Sequence, residues 1–302
     1  MRSRPLALAL TAGLLLGGCS SAQSAPEQTA ATAERSVTHA RGTTAVPAEP
    51  QRVVVLEPLE LDTAVALGVT PVGAAVASNV AGIPAYLGVG GAVKSVGTVP
   101  EPDLEAIAAL EPDLILGTDS RHGDLYGKLA GIAPTVFMAT QADPWQDNVR
   151  LVGEALGQAE EADRLLAGYR SRCEEIKAEH GLTGTTANLV RPRDEATLSL
   201  YGPTSFAGST LECAGFTIPD RDWQDSILVD VSPERVPEAA ADHVFVTTTD
   251  VQDPSSVPTL IRDNPTAFPA VSLVDTSYWV SGVGPLGGQR VLDDIDRILD
   301  QA

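Results

Sequence analysis

One stretch limits the architecture more than any other. From Asp143 to Gly181 the chain reads "DPWQDNVRLVGEALGQAEEADRLLAGYRSRCEEIKAEHG", with no proline after Pro144 and an apolar stripe at Val149, Val152, Leu156, Leu165, Leu166 and Tyr169. Apolar residues at helical spacing mark a helix with one buried face. Asp143 is the N-cap candidate, Pro144 stands at the first helical position, and Gly181 follows a last turn that contains His180. At 1.5 Å per residue, roughly 35 residues extend about 50 Å, longer than a small domain needs. Such a helix connects two bodies. Within it "ALGQAEEA" is the place for a kink or break, because Gly157 lowers helix propensity by about 1 kcal/mol relative to alanine.

On either side, short β-branched runs alternate with helical spacing. Val53 to Leu56 reads as a strand, and Leu61, Val65 and Leu67 follow as a helix. "TPVGAAV", "DLILGT" and "PTVFMA" are further strands, with "DLEAIAAL" and "LYGKLAGI" as helices between them. After the long helix come strands at "TANLVRP", "TLSLYG", "ILVDVS", "HVFVTTT" and "AVSLVDTSYWVS". Helices are expected at "GSTLECAGF", "PERVPEAA" and "GGQRVLDDIDRILDQA". This alternation implies helix-covered parallel sheets. The expected fold is α/β, with two lobes, each with a central, mostly parallel sheet, joined by one long α-helix. The lobes are placed at residues 46–142 and 181–302, and the helix at 143–180.

The N-terminus has a separate logic. "MRSRP" carries Arg2 and Arg4, and the apolar run from Leu6 to Gly18 is too short to span a bilayer. It ends in "LLLGGCS", small residues before Cys19, which resembles the lipobox of bacterial lipoproteins. Residues 1–18 are therefore expected as a signal peptide, Cys19 as the lipidated first residue, and 19–45, small, polar and aperiodic, as a flexible tether. A formal charge of −20 makes nucleic acid and anionic lipid surfaces poor partners. Cys173 and Cys213 remain, able to pair in an oxidising space or to stay as two buried thiols.

Enzyme signatures are missing from the sequence. There is no G-x-S-x-G elbow, "GVGPLGGQ" has no following Lys-Ser or Lys-Thr to hold phosphate, and "VLDDID" is the wet face of the last helix. The histidines, His39, His122, His180 and His243, form no i, i+4 pair, so no direct metal site is expected; His122 is the one plausible recruit. Aromatic residues are scarce, at 4%, which makes their placement informative. Tyr86, Trp145, Tyr201, Trp223, Tyr278 and Trp279 fall mostly in loops or strand ends, and Arg191 and Arg193 flank Pro192 at a strand end. Guanidinium groups facing aromatic planes suit a bulky, partly anionic or carbonyl-rich ligand.

The segments "RVVVLEPLELDTAVALGVTPVG", "VGTVPEPDLEAIAALEPDLILG", "LVRPRDEATLSLYGPTSFAGSTLECAGF" and "GGQRVLDDIDRIL" resemble the iron-siderophore substrate-binding lipoproteins of bacterial ABC importers, in the class III binding-protein type whose lobes are joined by one helix. Cobalamin and haem receptors share that fold, and an exported hydrolase or sensor domain is the alternative outside transport. The segment "LYGPTSFAGS" resembles the siderophore branch, particularly binders of hydroxamate-type ligands. The resemblance implies no enzymatic activity and no cofactor. It implies an Fe(III)-siderophore whose own oxygens hold the iron, an ABC permease as partner, and a monomer anchored by lipid on the extracytoplasmic face of the cell membrane. It further implies that Glu105 and Glu234 dock the permease, one from each lobe. Arg191, Tyr201, Trp223, Tyr278 and Trp279 align with contact regions of the C-terminal lobe, and Arg121 and His122 occupy the N-terminal loop after "LILGT". The chain departs from some relatives in having "EPLE" after the first strand and "TDSRHG" after "LILGT", neither with an aromatic residue, so a more polar N-terminal wall is expected.

Overall fold

The computed structural model describes residues 33–78, 82–141, 144–194 and 197–301. The signal peptide, Cys19 and the first part of the expected tether lie outside the described residues. So does the N-cap candidate Asp143.

The remainder of the expected tether is not a tether. Strands β1 (Glu34–His39) and β2 (Gly42–Pro47) form an antiparallel hairpin. One apolar residue per strand anchors it: Val37 and Val46 are buried, while Ser36, Thr38, Thr43 and Ala45 are exposed. Two such residues in a run of small polar ones leave almost no periodicity to read. The hairpin is held further by Ala40 N–H donating to Phe137 O (3.0 Å) and by Phe137 N–H donating to His39 Nδ1 (3.2 Å).

The N-terminal lobe is built on five parallel strands: β3 (Val53–Val55), β4 (Gly73–Val76), β5 (Lys94–Thr98), β6 (Leu114–Thr118) and β7 (Thr135–Met138), in the order β5-β4-β3-β6-β7. Strands covered on both faces need apolar residues at every position, and "VVV" and "LILGT" are buried throughout. Helices α1 (Pro58–Ala66), α2 (Leu104–Ala109), α3 (Asp119–His122) and α4 (Tyr126–Ala130) lie in the connections. The chain passes from β3 to β4 and β5 on one side and then to β6 on the other, so a crevice opens at the carboxyl ends of β3 and β6.

The long helical segment is two helices. α5 (Trp145–Leu156) ends at Gly157, whose φ of 75° is left-handed, and α6 (Ala159–His180) starts again in a new direction. Arg35 of the hairpin seals the break: its guanidinium donates to the Glu154 and Ala155 carbonyls at the end of α5, the latter at 2.7 Å. Pro144 takes the cap position rather than the first helical one. α5 packs on α1, so the link to the second lobe is α6.

The C-terminal lobe contains β8 (Ala187–Pro192), β9 (Leu198–Tyr201), β10 (Leu228–Val231), β11 (His243–Thr248) and β12 (Val271–Asp275), in the order β10-β9-β8-β11-β12. β8, β11 and β12 are parallel, whereas β9 and β10 form an antiparallel edge. The sheet is therefore mixed, because "TLSLYG" follows β8 through a turn too short to hold a crossover helix. α7 (Phe206–Cys213) and α8 (Thr259–Arg262) follow. "AVSLVDTSYWVS", expected as strand, divides at Asp275, whose side chain caps α9 (Thr276–Trp279) by accepting Ser277 N–H. "PERVPEAA" is a 3₁₀ turn, since Pro237 removes a donor. α10 (Pro285–Leu299) ends the fold.

One core cluster spans both lobes, and each lobe has a further cluster of its own, around Ile107 and Phe137 in the first and Val246 and Phe268 in the second. A continuous cluster runs from Val37 and Val55 through Trp145, Leu166 and Tyr169 to Phe206, Val274 and Leu292. Cys173 of α6 and Cys213 of α7 form a disulfide with a Cα–Cα distance of 5.4 Å. Asp62 on α1 provides a second link. Its fully buried carboxylate accepts Leu286 N–H and Gly287 N–H of α10, both at 2.8 Å, and Tyr86 O–H at 2.8 Å. Gly284 makes room for it: its φ is 146°, and a Cβ there would come within 2.4 Å of Asp62 Oδ1.

Candidate functional site: the cleft between the sheets

An opening with charged groups on both sides lies where the carboxyl ends of the N-terminal strands face the second lobe. It encloses ≈ 1060 Å³ counting its mouth, room for a compact organic ligand rather than a bare ion. Every strand of the first sheet sends a residue to it: Glu57 after β3, Ser78 after β4, Pro100 after β5, Arg121 in α3 after β6, and Gln141 after β7. The opposite wall is made by Arg191 at the end of β8, Tyr201 at the end of β9, the start of α7 at Ser205 and Phe206, and the segment Trp279–Ser281 after α9.

The N-terminal wall holds an uncommon charge arrangement. Glu57 lines the cleft yet is only 2% exposed, and its Oε1 is 3.3 Å from Arg121 Nε. Burial pushes its carboxyl up to about 7; Arg121 and then the Thr118 hydroxyl pull it back only in part. Directly behind it, Glu60 is buried on α1 and its Oε2 accepts both Leu56 N–H and Glu57 N–H at 3.0 Å. Burial, and then repulsion from Glu57, raise the Glu60 carboxyl well above its usual range. Asp62 is likewise raised by burial, to about 7, against the pull of its hydrogen-bond donors.

The C-terminal wall combines a cation with rings. Arg191 Nη1 donates to Tyr201 O–H at 3.4 Å. Trp279 forms part of the cleft lining although its side chain is almost wholly buried; it stacks on Phe245 with centroids 4.9 Å apart, and its Nε1–H donates to Asp294 at 3.0 Å.

Of the residues singled out from sequence, Arg121, Arg191, Tyr201 and Trp279 come together here. The others go elsewhere. Trp145 is core, edge-to-face with both Tyr169 and Phe206 at 5.2 Å, because it opens α5 under the shared core. His122 is turned away from the cleft: Nδ1 accepts Thr118 N–H at 3.2 Å and Nε2–H donates to Val99 O at 2.8 Å. Burial pushes its imidazole down, so the ring is neutral and fully engaged, and it recruits no metal. Tyr86 serves the Asp62 link, beside the cleft in a narrower recess with Leu61 and Ser281. Tyr278 donates to Asp294 at 2.8 Å. Trp223 covers Gly202, where a Cβ would meet its ring at 2.7 Å, and carries Arg221 at 5.1 Å from its ring centroid. Arg193 is exposed beyond Pro192.

Glu57 and the start of α7 were not among the expected contacts. The signal for Glu57 was positional: it directly follows a buried β-branched strand at the carboxyl end, where open α/β sheets bind ligands. Glu105 lies exposed in the first turn of α2, capped by Asp103, which accepts Glu105 N–H and Ala106 N–H at 3.0 Å. Glu234 is exposed on the other lobe, its carboxyl held below the usual range by its own amide and the Ser232 hydroxyl.

Two lobes around a cleft, each offering it the carboxyl ends of parallel strands, define a solute-binding protein. Residues 53–272 match the periplasmic binding protein family, a family of binding proteins and not of enzymes, and the chain belongs to it. It is 34% identical over 249 residues to the Bacillus subtilis (strain 168) "Probable siderophore-binding lipoprotein YfiY", covering 78% of this chain and 76% of the relative. The crystal structure of Staphylococcus aureus SirA complexed with staphyloferrin B superposes with a TM-score of 0.72 at 29% identity, covering 88% of this chain and 98% of SirA. The iron uptake ABC transporter substrate-binding protein PiuA of Streptococcus pneumoniae Canada MDR_19A superposes with a TM-score of 0.69 at 26% identity, covering 88% and 99%. Among the described residues no helix is long and apolar enough to cross a membrane.

Proposed function

We propose that the chain is the extracytoplasmic receptor of an iron importer. It captures an Fe(III)-siderophore in the cleft and delivers it to an ABC permease while lipid on Cys19 holds it at the membrane. The observation that carries this reading is the pair of guanidinium groups, Arg121 and Arg191, on opposite walls of one cleft. A ferric siderophore satisfies its metal with its own oxygens, so the protein has to meet an oxygen-rich, partly anionic surface, which forked donors do well. Tyr201 and Trp279 supply the C-terminal face of that contact. The siderophore is of the hydroxamate type that the resemblance implies, and the two arginines favour one that also bears a free carboxylate. Glu105 and Glu234 dock the permease, one exposed carboxylate from each lobe. The relatives, one named as a siderophore-binding lipoprotein, one solved with a siderophore and one named as part of an iron uptake ABC transporter, support the same reading.

Tryptophan fluorescence titrated with ferric and iron-free siderophores, and with cobalamin and haem, tests it. Ferric chelates should quench saturably, and W279F should remove much of the signal. Quenching by cobalamin or haem alone, or by no ferric siderophore, overturns the proposal.

A further inference from the structure

Glu57 is an odd lining residue for a cleft that takes an anion. It is a carboxyl that meets water only at the cleft, being 2% exposed and anchored at the start of α1, and it stands 3.3 Å from the guanidinium that the incoming chelate needs. Resting on the ferric-siderophore reading above, we propose that Glu57 stands in for the ligand's anionic group at Arg121 while the cleft is empty. It gives the guanidinium up by taking a proton when a carboxylate-bearing chelate binds. Capture is then an exchange of one carboxylate for another at Arg121. The only bond that changes is the O–H formed at Glu57, and its proton comes from solvent.

The surroundings leave the displaced carboxylate no other cation on its own wall, only the neutral Glu60 N–H of the capping box and the Thr118 hydroxyl. From α1, Glu60 faces it and is itself a carboxyl, committed to the Leu56 and Glu57 amides. Asp62, further along α1, is tied to α10 and Tyr86. From β6 and α3 come the Thr118 hydroxyl, the neutral His122, and Asp119, which is paired with Arg41. The loop after β5 brings Val99 and Pro100, which do not titrate. The second lobe brings Arg191 and Tyr201, which line the far wall and bond each other. A buried carboxylate stripped of its one cation is far costlier than the neutral acid, and Glu57 starts near neutrality for the same reason, at about 7. Glu57 therefore selects by charge: an anionic chelate pays for the exchange only where protons are available, while a neutral chelate leaves the ion pair in place.

The test compares wild type and E57Q for binding of ferric citrate, as the carboxylate probe, and of ferrichrome, a ferric trihydroxamate without a free carboxylate, from pH 6 to pH 8.5. Above neutrality the wild-type association constant for ferric citrate should fall by up to about tenfold per pH unit relative to E57Q, because one proton is taken up. The two proteins should match at pH 6 within about twofold and differ by roughly ten- to thirtyfold, in favour of E57Q, at pH 8.5. With ferrichrome the ratio of the two proteins should not change with pH. Calorimetry of the wild type at pH 8 in two buffers of different ionisation enthalpy should show close to one proton absorbed with ferric citrate, which keeps the test open if E57Q folds poorly. Parallel pH profiles for the two proteins with ferric citrate, or no proton absorbed, overturn the exchange while leaving the receptor intact. Failure of every ferric chelate to bind overturns the proposed function and the exchange together.

Discussion

The two lobes meet the cleft by different means. The N-terminal lobe offers loops from five parallel strands, and the acids behind its wall are held inside, with Glu57, Glu60 and Asp62 all buried on or beside α1. The C-terminal lobe, with its antiparallel edge, offers side chains from a tight turn and a short capped helix, and its carboxylates lie in the open, Glu234, Glu238 and Asp242 among them. One wall is a buried acid paired with a cation, Glu57 with Arg121; the other is a cation set among rings. The difference teaches that the halves of such a receptor need not be chemically alike to serve one ligand. It also locates their rigidity in the Asp62 junction and the shared core, and only partly in a connecting helix.

The sharpest way to break that comparison is at Asp62. D62A leaves the Leu286 and Gly287 amides and the Tyr86 hydroxyl, all at 2.8 Å from the carboxylate, without an acceptor, and should cost about 3–5 kcal/mol in urea unfolding. Because one core cluster spans both lobes, wild type should unfold in a single transition. Two separated transitions in the wild type would mean that the lobes are independent and that the junction matters little. Replacing Cys173 and Cys213 by serine comes next. The pair spans a sequence separation of 40 between α6 and α7, and the chain-entropy account gives a loss of about 2–4 kcal/mol. That loss should appear on the C-terminal side, as faster amide exchange in α7 with α1 unchanged.

Much of the architecture was legible before any coordinates. The α/β alternation and the helical seam stand in the sequence because the central strands, such as Val53–Val55 and Leu114–Thr118, are buried throughout and the helices carry apolar residues at every third or fourth position. The hairpin was hidden for the opposite reason: Val37 and Val46 are each one buried residue in a strand of small polar ones. Gly157 was visible as a weak point, but whether it kinks or breaks a helix depends on Arg35, more than a hundred residues away, capping the freed carbonyls. The site was half legible. Arg191, Tyr201 and Trp279 stand at strand or helix ends, whereas Trp145 and His122 were drawn inward because burial of a ring and satisfaction of two ring nitrogens outweigh their position in sequence.

The next contrast in size is between the arginines. R191A removes a cation from a wall where nothing else is charged, and should weaken binding of a carboxylate-bearing ferric chelate by about 1.5–3 kcal/mol, near tenfold to a hundredfold. R121A should lose most at pH 6, where the wild-type Glu57 is largely protonated and leaves the guanidinium to the ligand, and less at pH 8.5, where wild-type Glu57 still competes for it; in the variant Glu57, without its cation, stays neutral. Equal losses at both pH values for both variants, read by fluorescence titration, would show that the walls are equivalent after all.

The smallest effect should be on stability itself, and its sign separates the lobes. Glu57 and Asp62 in the N-terminal lobe have carboxyls raised to about 7. A group whose folded pKa lies above its unfolded value of about 4 stabilises fully below pH 4, and that contribution is lost as pH rises through 7. On the C-terminal side Asp242 and Asp296 are lowered, the first by the Thr186 amide and hydroxyl, the second chiefly by His180 and Arg172. Their contribution is present above pH 4 and disappears only as pH falls below it. Between pH 5 and pH 8 the second set has finished titrating, and the first set acts against His39, His122 and His243, whose imidazoles burial pushes down and which therefore favour the fold as pH rises. E57Q removes one member of the first set, so its melting temperature should gain on that of the wild type by about a few degrees from pH 5 to pH 8, and D242N should run parallel to the wild type. Parallel curves for E57Q and the wild type would mean that the Glu57 carboxyl is better solvated than its burial implies.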